Sequence, residues 1–261
     1  MIRRSRFVLL VVLAAALTGS CTQVSTSPSN AVALQFDTLP FPAVVTGDTM
    51  RDSLGRAVPL HALAFNSAQA VIAGAPIAFV AVDSGITISP DGYVTAQRRN
   101  GVVHILATIG GLQAKDSVQV ARRPDSVIVT GKPSDTLFYT LPDNPTQNLS
   151  AALSVKVATS DSAGGVSGTG GWLVSFQAFF RGQPLLPSDT TIASLWGRTQ
   201  RVSIVDTTNA STFTAYRQLR VRPQAPTFTA AESIVVIATV NYRGAPVRGS
   251  PVRFVIHTKP K

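Results

Sequence analysis

Three histidines, His61, His104 and His257, are the residues best suited to metal or general-base chemistry. A zinc site or a catalytic triad needs at least two such groups to converge with partners. These three lie far apart in sequence and on different predicted strands. His104 alternates with Val103 and Ile105, so it reads as a half-exposed strand histidine. Ser167 sits in Gly165-Val166-Ser167-Gly168, which lacks the Gly-x-Ser-x-Gly spacing and following helix of a nucleophile turn. Calcium needs clustered oxygen ligands. Asp143-Asn144 with Asn148, and Asp206 with Asn209, are the candidates, and both groups read as turn formers. The expectation is therefore no catalytic residue, no metal site and no cofactor. Binding chemistry has more to work with. Trp172 and Trp196 could offer flat faces to sugar rings, although core packing is the commoner use of such residues. From Tyr216 to Arg222, alternation places Tyr216, Gln218, Arg220 and Arg222 on one strand face, opposite Arg217, Leu219 and Val221. Arg220 and Arg222 are thus expected to be exposed and close together. Arginine there would suit bidentate contact with phosphate or carboxylate.

Cys21 carries a different chemistry. It is the only cysteine, so no internal disulfide can form. Arg3, Arg4 and Arg6 precede an unbroken apolar run from Phe7 to Leu17, followed by Thr18-Gly19-Ser20-Cys21. That order is a positive segment, an apolar segment and a small-residue cleavage site. The apolar run falls well short of the roughly 20 residues that cross a bilayer as a helix. It reads as an export signal over residues 1–20. Residues 22–30 are polar and poor in bulky side chains, so 21–32 reads as a flexible tether.

Leu17-Thr18-Gly19-Ser20-Cys21 resembles the lipobox of bacterial lipoproteins. The resemblance implies cleavage before Cys21, lipidation of its sulfur and new amino group, and a membrane partner reached through that lipid. Thr22 stands where lipoproteins kept at the inner membrane carry Asp, so in a cell with two membranes the resemblance points to the outer one.

Three of the 23 basic residues lie in the leader, which leaves 20 against 13 acidic residues, a net charge of about +7. Such a chain favours anionic surfaces. The charges are dispersed in short groups such as Arg98-Arg99 and Arg122-Arg123, without the aromatic-basic motifs of nucleic-acid binders, so no nucleic acid is expected. Hydrophobic content of 45% suffices for real cores. Ser, Thr, Val and Ala dominate and Glu232 is the only glutamate, an all-β composition.

Short apolar runs recur about every ten residues, the spacing of β-sandwiches. Residues 33–123 form one predicted sandwich and 124–261 a second, longer one, separated at Arg122-Arg123-Pro124. Within the first, Asp91-Gly92 offers a tight turn, Val103, Ile105, Ala107 and Ile109 share a strand face, and Gly110-Gly111 closes a hairpin whose return strand points Val118 and Val120 inward. The succession Asp91-Gly92-Tyr93-Val94-Thr95-Ala96, a glycine-led strand, Gly-Gly and a closing strand resembles bacterial immunoglobulin-like domains of the intimin and invasin type. The segment from Tyr242 to Ile256 resembles a hairpin of the same family. The resemblance implies tandem immunoglobulin-like sandwiches in a non-enzymatic envelope protein, acting in adhesion, scaffolding or spacing and meeting an envelope protein or glycan. The alternative is a binding module for a glycan or anionic envelope polymer through Arg220, Arg222, Trp172 and Trp196.

Cys21→Ser should move the protein into the soluble fraction or leave its leader uncut, read by fractionation and mass spectrometry. Membrane attachment with correct cleavage in that variant would exclude lipidation at Cys21.

Overall fold

The computed structural model describes residues 30–97, 101–160, 165–197, 201–223 and 232–261. The leader, Cys21, tether residues 22–29 and the Arg98-Arg99 pair lie outside the described residues. Strands joined by turns make up the rest, with a short 3-10 helix at Pro187–Thr191. No helix among the described residues is long and apolar enough to cross a membrane.

The first unit holds β1 (Ala33–Phe36), β2 (Ala43–Val45), β3 (Ala62–Phe65), β4 (Ala78–Ala81), β5 (Ile86–Ile88), β6 (Val94–Ala96), β7 (Gly101–Ile109) and β8 (Leu112–Ala121). One sheet has the order β2-β8-β7-β4, and the pairs β1-β3 and β5-β6 stand apart from it. The β7–β8 hairpin pairs Ile109 with Leu112 across Gly110-Gly111. Val103, Ile105, Ala107 and Ile109 are buried, as are Val118 and Val120 on the return strand. Period two thus points one row of each strand inward: Val103, Ile105, Val118 and Val120 share a core with Val44, Met50, Leu60, Ile86 and Val94, and Ile109 packs with Ala64 and Ile72. His104 faces the other way, and its Nδ1 lies 2.7 Å from Asp83. Gly92 has φ +84, and a Cβ there would stand 3.4 Å from the Leu60 carbonyl. Its own carbonyl accepts the Leu60 amide at 2.9 Å, so this turn is tied by backbone to the segment that leads into β3.

The second unit holds β9 (Ser126–Val129), β10 (Ser134–Tyr139), β11 (Leu153–Ser160), β12 (Val166–Gly168), β13 (Leu173–Phe180), β14 (Gln183–Pro184), β15 (Ala193–Leu195), β16 (Ser203–Thr207), β17 (Thr214–Arg217), β18 (Leu219–Val221), β19 (Glu232–Thr239), β20 (Asn241–Tyr242), β21 (Ala245–Pro246) and β22 (Val252–Pro260). Its larger sheet runs β10-β22-β19-β13, with β14 and β16 on the far side of β13. The facing sheet runs β12-β11-β17 with β9 also on β11, and β15-β18 closes one side. Phe176, Ile234, Val236, Phe254 and Ile256 from the first sheet meet Leu153, Val155 and Val157 from the second in one core. In both units an early strand pairs parallel with the last one: β2 with β8, and β10 with β22. Among the described residues no strand pairing crosses 122–125. The chain is all-β, two β-sandwiches in tandem.

Ile105→Ala should lower stability by about 2–5 kcal/mol through lost burial and a cavity. Gly92→Val should cost roughly 1–3 kcal/mol through backbone strain. Thermal melts of the full chain check both.

Candidate functional site

Two places concentrate polar and aromatic side chains. One is the joint between the sandwiches. Phe41, Ala43 and Ala121 from the first unit belong to the same apolar cluster as the second unit's core. Phe41 packs on Trp172 with ring centroids 5.5 Å apart, and Trp172 meets the edge of Tyr242 at 5.7 Å and 85°. The guanidinium groups of Arg123 and Arg243 stand 5.8 and 5.4 Å from the Tyr242 ring centroid. Arg243 then reaches across to Asp48, donating from Nη2 to Oδ2 at 2.6 Å. Asp48 also receives Arg51 through two nitrogens at 3.2 Å and the Thr49 amide at 2.9 Å. Burial alone would push the Asp48 carboxyl up. The hydrogen bonds from Arg51, Arg243 and the Thr49 amide outweigh it and hold the carboxyl at about 2, against an ordinary 3.8. Backbone meets backbone nearby: a Cβ on Gly55 would stand 2.6 Å from the main chain of Arg243. The cavity left at the joint, of about 30 Å³, has room for roughly one water. The linker is tied down as well, since the Arg122 carbonyl accepts from Thr169 Oγ1 at 3.2 Å.

The other place is the segment expected to display Arg220 and Arg222. That expectation fails. Arg220 is 7% exposed and Arg222 8%. The predicted continuous strand is two: β17 pairs with β11, and β18 with β15. Between them Gln218 reaches the Ser150 carbonyl at 2.9 Å. All three residues of β18 are buried, because the 140–150 loop covers the face that alternation assigned to solvent. Arg220 donates to Asp143 Oδ2 at 2.7 Å, and its guanidinium carbon stands 5.8 Å from the Trp196 ring centroid. Arg222 donates from Nη1 to the Thr190 carbonyl at 2.6 Å and to Ser194 Oγ at 2.9 Å. Burial, with the Arg220 cation beside it, holds the Arg222 guanidinium below its usual value. These arginines knit the loop, β15 and β18 together; they do not form an open anion patch.

The tryptophans part company. Trp172 is 3% exposed at the joint, its Nε1 donating to Thr169 Oγ1 at 3.3 Å, so it offers no platform to a sugar. Trp196 is 39% exposed, with Arg220 beneath it. The oxygens of Asp143 are taken by Arg220 and by the Asn148 amide at 2.9 Å. Asp206 pairs with Arg217 at 2.9 Å, and Asn209 Oδ1 caps its own turn by accepting the Ser211 amide at 2.8 Å. Among the described residues no group of three His, Cys, Asp or Glu side chains could hold a metal ion. The three histidines stay apart: His61 pairs with Asp37, His104 with Asp83, and His257 with Ser233. Sequence reasoning missed Phe41, Asp48, Tyr242 and Arg243. The one local signal was an aromatic and a cation, Tyr242-Arg243, directly before Gly244 at the turn that follows β20.

No family model matches the chain. No curated protein matches it. Among solved structures, domains 4 and 5 of the S-layer protein SbsC share 11% identity at a TM-score of 0.31, over 88% of this chain and 99% of that one. The D0-D1 domain of intimin shares 14% at 0.27, over 86% and 98%. The titin Ig tandem A164-A165 shares 11% at 0.30, over 88% and 100%. Likenesses at these scores carry no argument, and the assignment to tandem sandwiches rests on the strand pairing and cores described above.

The low Asp48 value sets a pH dependence. The folded carboxyl binds its proton less readily than the unfolded one, so this contribution is full above about pH 4 and is lost as pH falls towards 2. Asp48→Asn should remove about 1–2 kcal/mol at neutral pH and much less at pH 2, where most of the carboxylate's contribution is already lost. Denaturant titrations of both proteins at the two pH values check this.

Proposed function

We propose that this chain is an exported, lipid-anchored cell-envelope protein whose two immunoglobulin-like modules serve adhesion, scaffolding or spacing without catalysis. The observation that supports the reading most is the joint. Phe41, Trp172 and Tyr242 form a shared apolar contact, with Arg243 and Asp48 bonded at its rim. A spacer works by holding a fixed separation, and shared burial with close backbone contact provides it. The export leader and Cys21 supply the address and the anchor. The second reading, a module that binds a glycan or anionic envelope polymer, keeps the net positive charge in its favour. It loses Arg222 and Trp172 as contact residues, and Arg220 is already committed to Asp143.

Small-angle scattering of the full chain in detergent, with the detergent contrast-matched, should fit one fixed arrangement of the two modules. A glycine-serine insertion after Arg123 should not lengthen the particle, because the joint still closes. Phe41→Ser combined with Arg243→Ser should broaden the distance distribution. A wild type that scatters as two freely jointed bodies would overturn the spacer reading.

A further inference from the structure

The positive charge is not shared evenly. Residues 30–121 carry 5 Lys and Arg against 6 Asp and Glu, whereas residues 124–261 carry 13 against 7. Part of this excess lies on the outward face of the larger sheet of the second unit. Register fixes what that face presents. Along β22 Arg253, His257 and Lys259 are exposed, alternating with buried Val252, Phe254, Ile256 and Thr258, while Val255 between them is half-buried. Lys259 lies opposite Phe138 on β10, and Phe138 is 56% exposed. His257 lies between Thr136 and Ser233, and Arg253 beside Ile237. The next row is Phe179, Val235, Val255 and Ser134, half-buried or exposed.

No outward position of β10, β22, β19, β13 or β16 carries a carboxylate. Asp135, Asp206 and Glu232 fall on the inward parity and pair with Lys132, Arg217 and Arg181. Arg253 and Lys259 have no ion-pair partner among the described residues. A cation without a carboxylate on its own sheet face is the reverse of the usual mixed surface.

We propose that this face, centred on Arg253, His257, Lys259 and Phe138, binds an acidic polysaccharide of the cell envelope. Residues on one face of a strand recur about every 7 Å, so Arg253 and Lys259, six residues apart on β22, stand roughly 20 Å from each other along one line, a span that a linear chain bearing repeated charge can bridge. Phe138, and Phe179 three strands further in, give flat apolar faces on which sugar rings stack. Ser134 and Thr136 supply hydroxyl groups for the sugar hydroxyls. This deepens the glycan reading above and moves its site from Arg220 and Arg222 to the open sheet. The spacer reading does not depend on it, because the scattering test reads the joint and not this face.

The test uses the full chain in detergent and immobilised polygalacturonate, with neutral dextran and single-stranded poly-dT as comparison probes. The wild type should bind polygalacturonate at about 0.05 M salt and release it near 0.5 M, where screening reaches only a few ångströms. The double change Arg253→Ser/Lys259→Ser should weaken binding about tenfold or more with an unchanged melting temperature. Phe138→Ser should weaken it severalfold. Arg56→Ser, an exposed cation paired with Asp52 in the first unit, should leave it unchanged. Failure of the wild type to bind polygalacturonate, equal binding of dextran, tighter binding of poly-dT, or unchanged binding by the double variant would each overturn the proposal.

Discussion

The arrangement of this molecule depends on apolar contact across the boundary between its two sandwiches. Trp172 is buried because Phe41 lies on it from the other sandwich and Tyr242 meets it from its own. Neither sandwich could swing about residues 122–125 without returning those rings to water. At roughly 25 cal/mol per Å² of apolar surface, even a modest opening is costly. The polar rim follows from this contact. Asp48 and Arg243 meet because the rings bring the turns that bear them together, and the Asp48 carboxylate is held low because two guanidinium groups then converge on it. An ion pair of this kind contributes little alone. Its consequence here is orientation: it sets the rotation of one body on the other, which ring packing alone leaves less defined.

The buried arginines near β18 illustrate the opposite balance. Taking Arg220 and Arg222 from water costs several kcal/mol each unless charges and carbonyls replace the lost solvent. Asp143 serves Arg220; a carbonyl and a hydroxyl serve Arg222. Nε of Arg220 and Nη2 of Arg222 remain without a partner. Such an arrangement contributes less to net stability than an apolar core of the same volume would. It does commit the 140–150 loop to one position, since removing Asp143 would strand a buried cation.

The sequence was legible where a short local pattern determines the structure. Asp91-Gly92, the row Val103 to Ile109 and the Gly110-Gly111 hairpin each need only neighbours in sequence to be read, and each stands where it was expected. Legibility failed where the partner is distant. β2 is three residues long and becomes a strand only by pairing with β8. β10 carries Asp135 and a run without clear alternation, and is a strand because β22 lies beside it. The stretch from Tyr216 to Arg222 has clean alternation, yet the alternation misleads. The chain changes sheets at Gln218, and a loop covers the face that should have been wet. The joint was illegible for the same reason: Phe41, Trp172 and Tyr242 share no local signature.

The parallel pairing in each unit has a mechanical side. An early strand lies parallel to the last one, β2 with β8 and β10 with β22. Tension applied between the ends of such a module draws the two strands past each other along their length. Once the leading strand, β1 or β9, has let go, the bonds of that ladder are loaded together rather than one after another, as an unzipping hairpin would load them. Resistance then grows with the number of paired residues. The register from Ser134 to Tyr139 makes the second unit the stronger link, and the three pairs of β2 make the first unit the one that yields first.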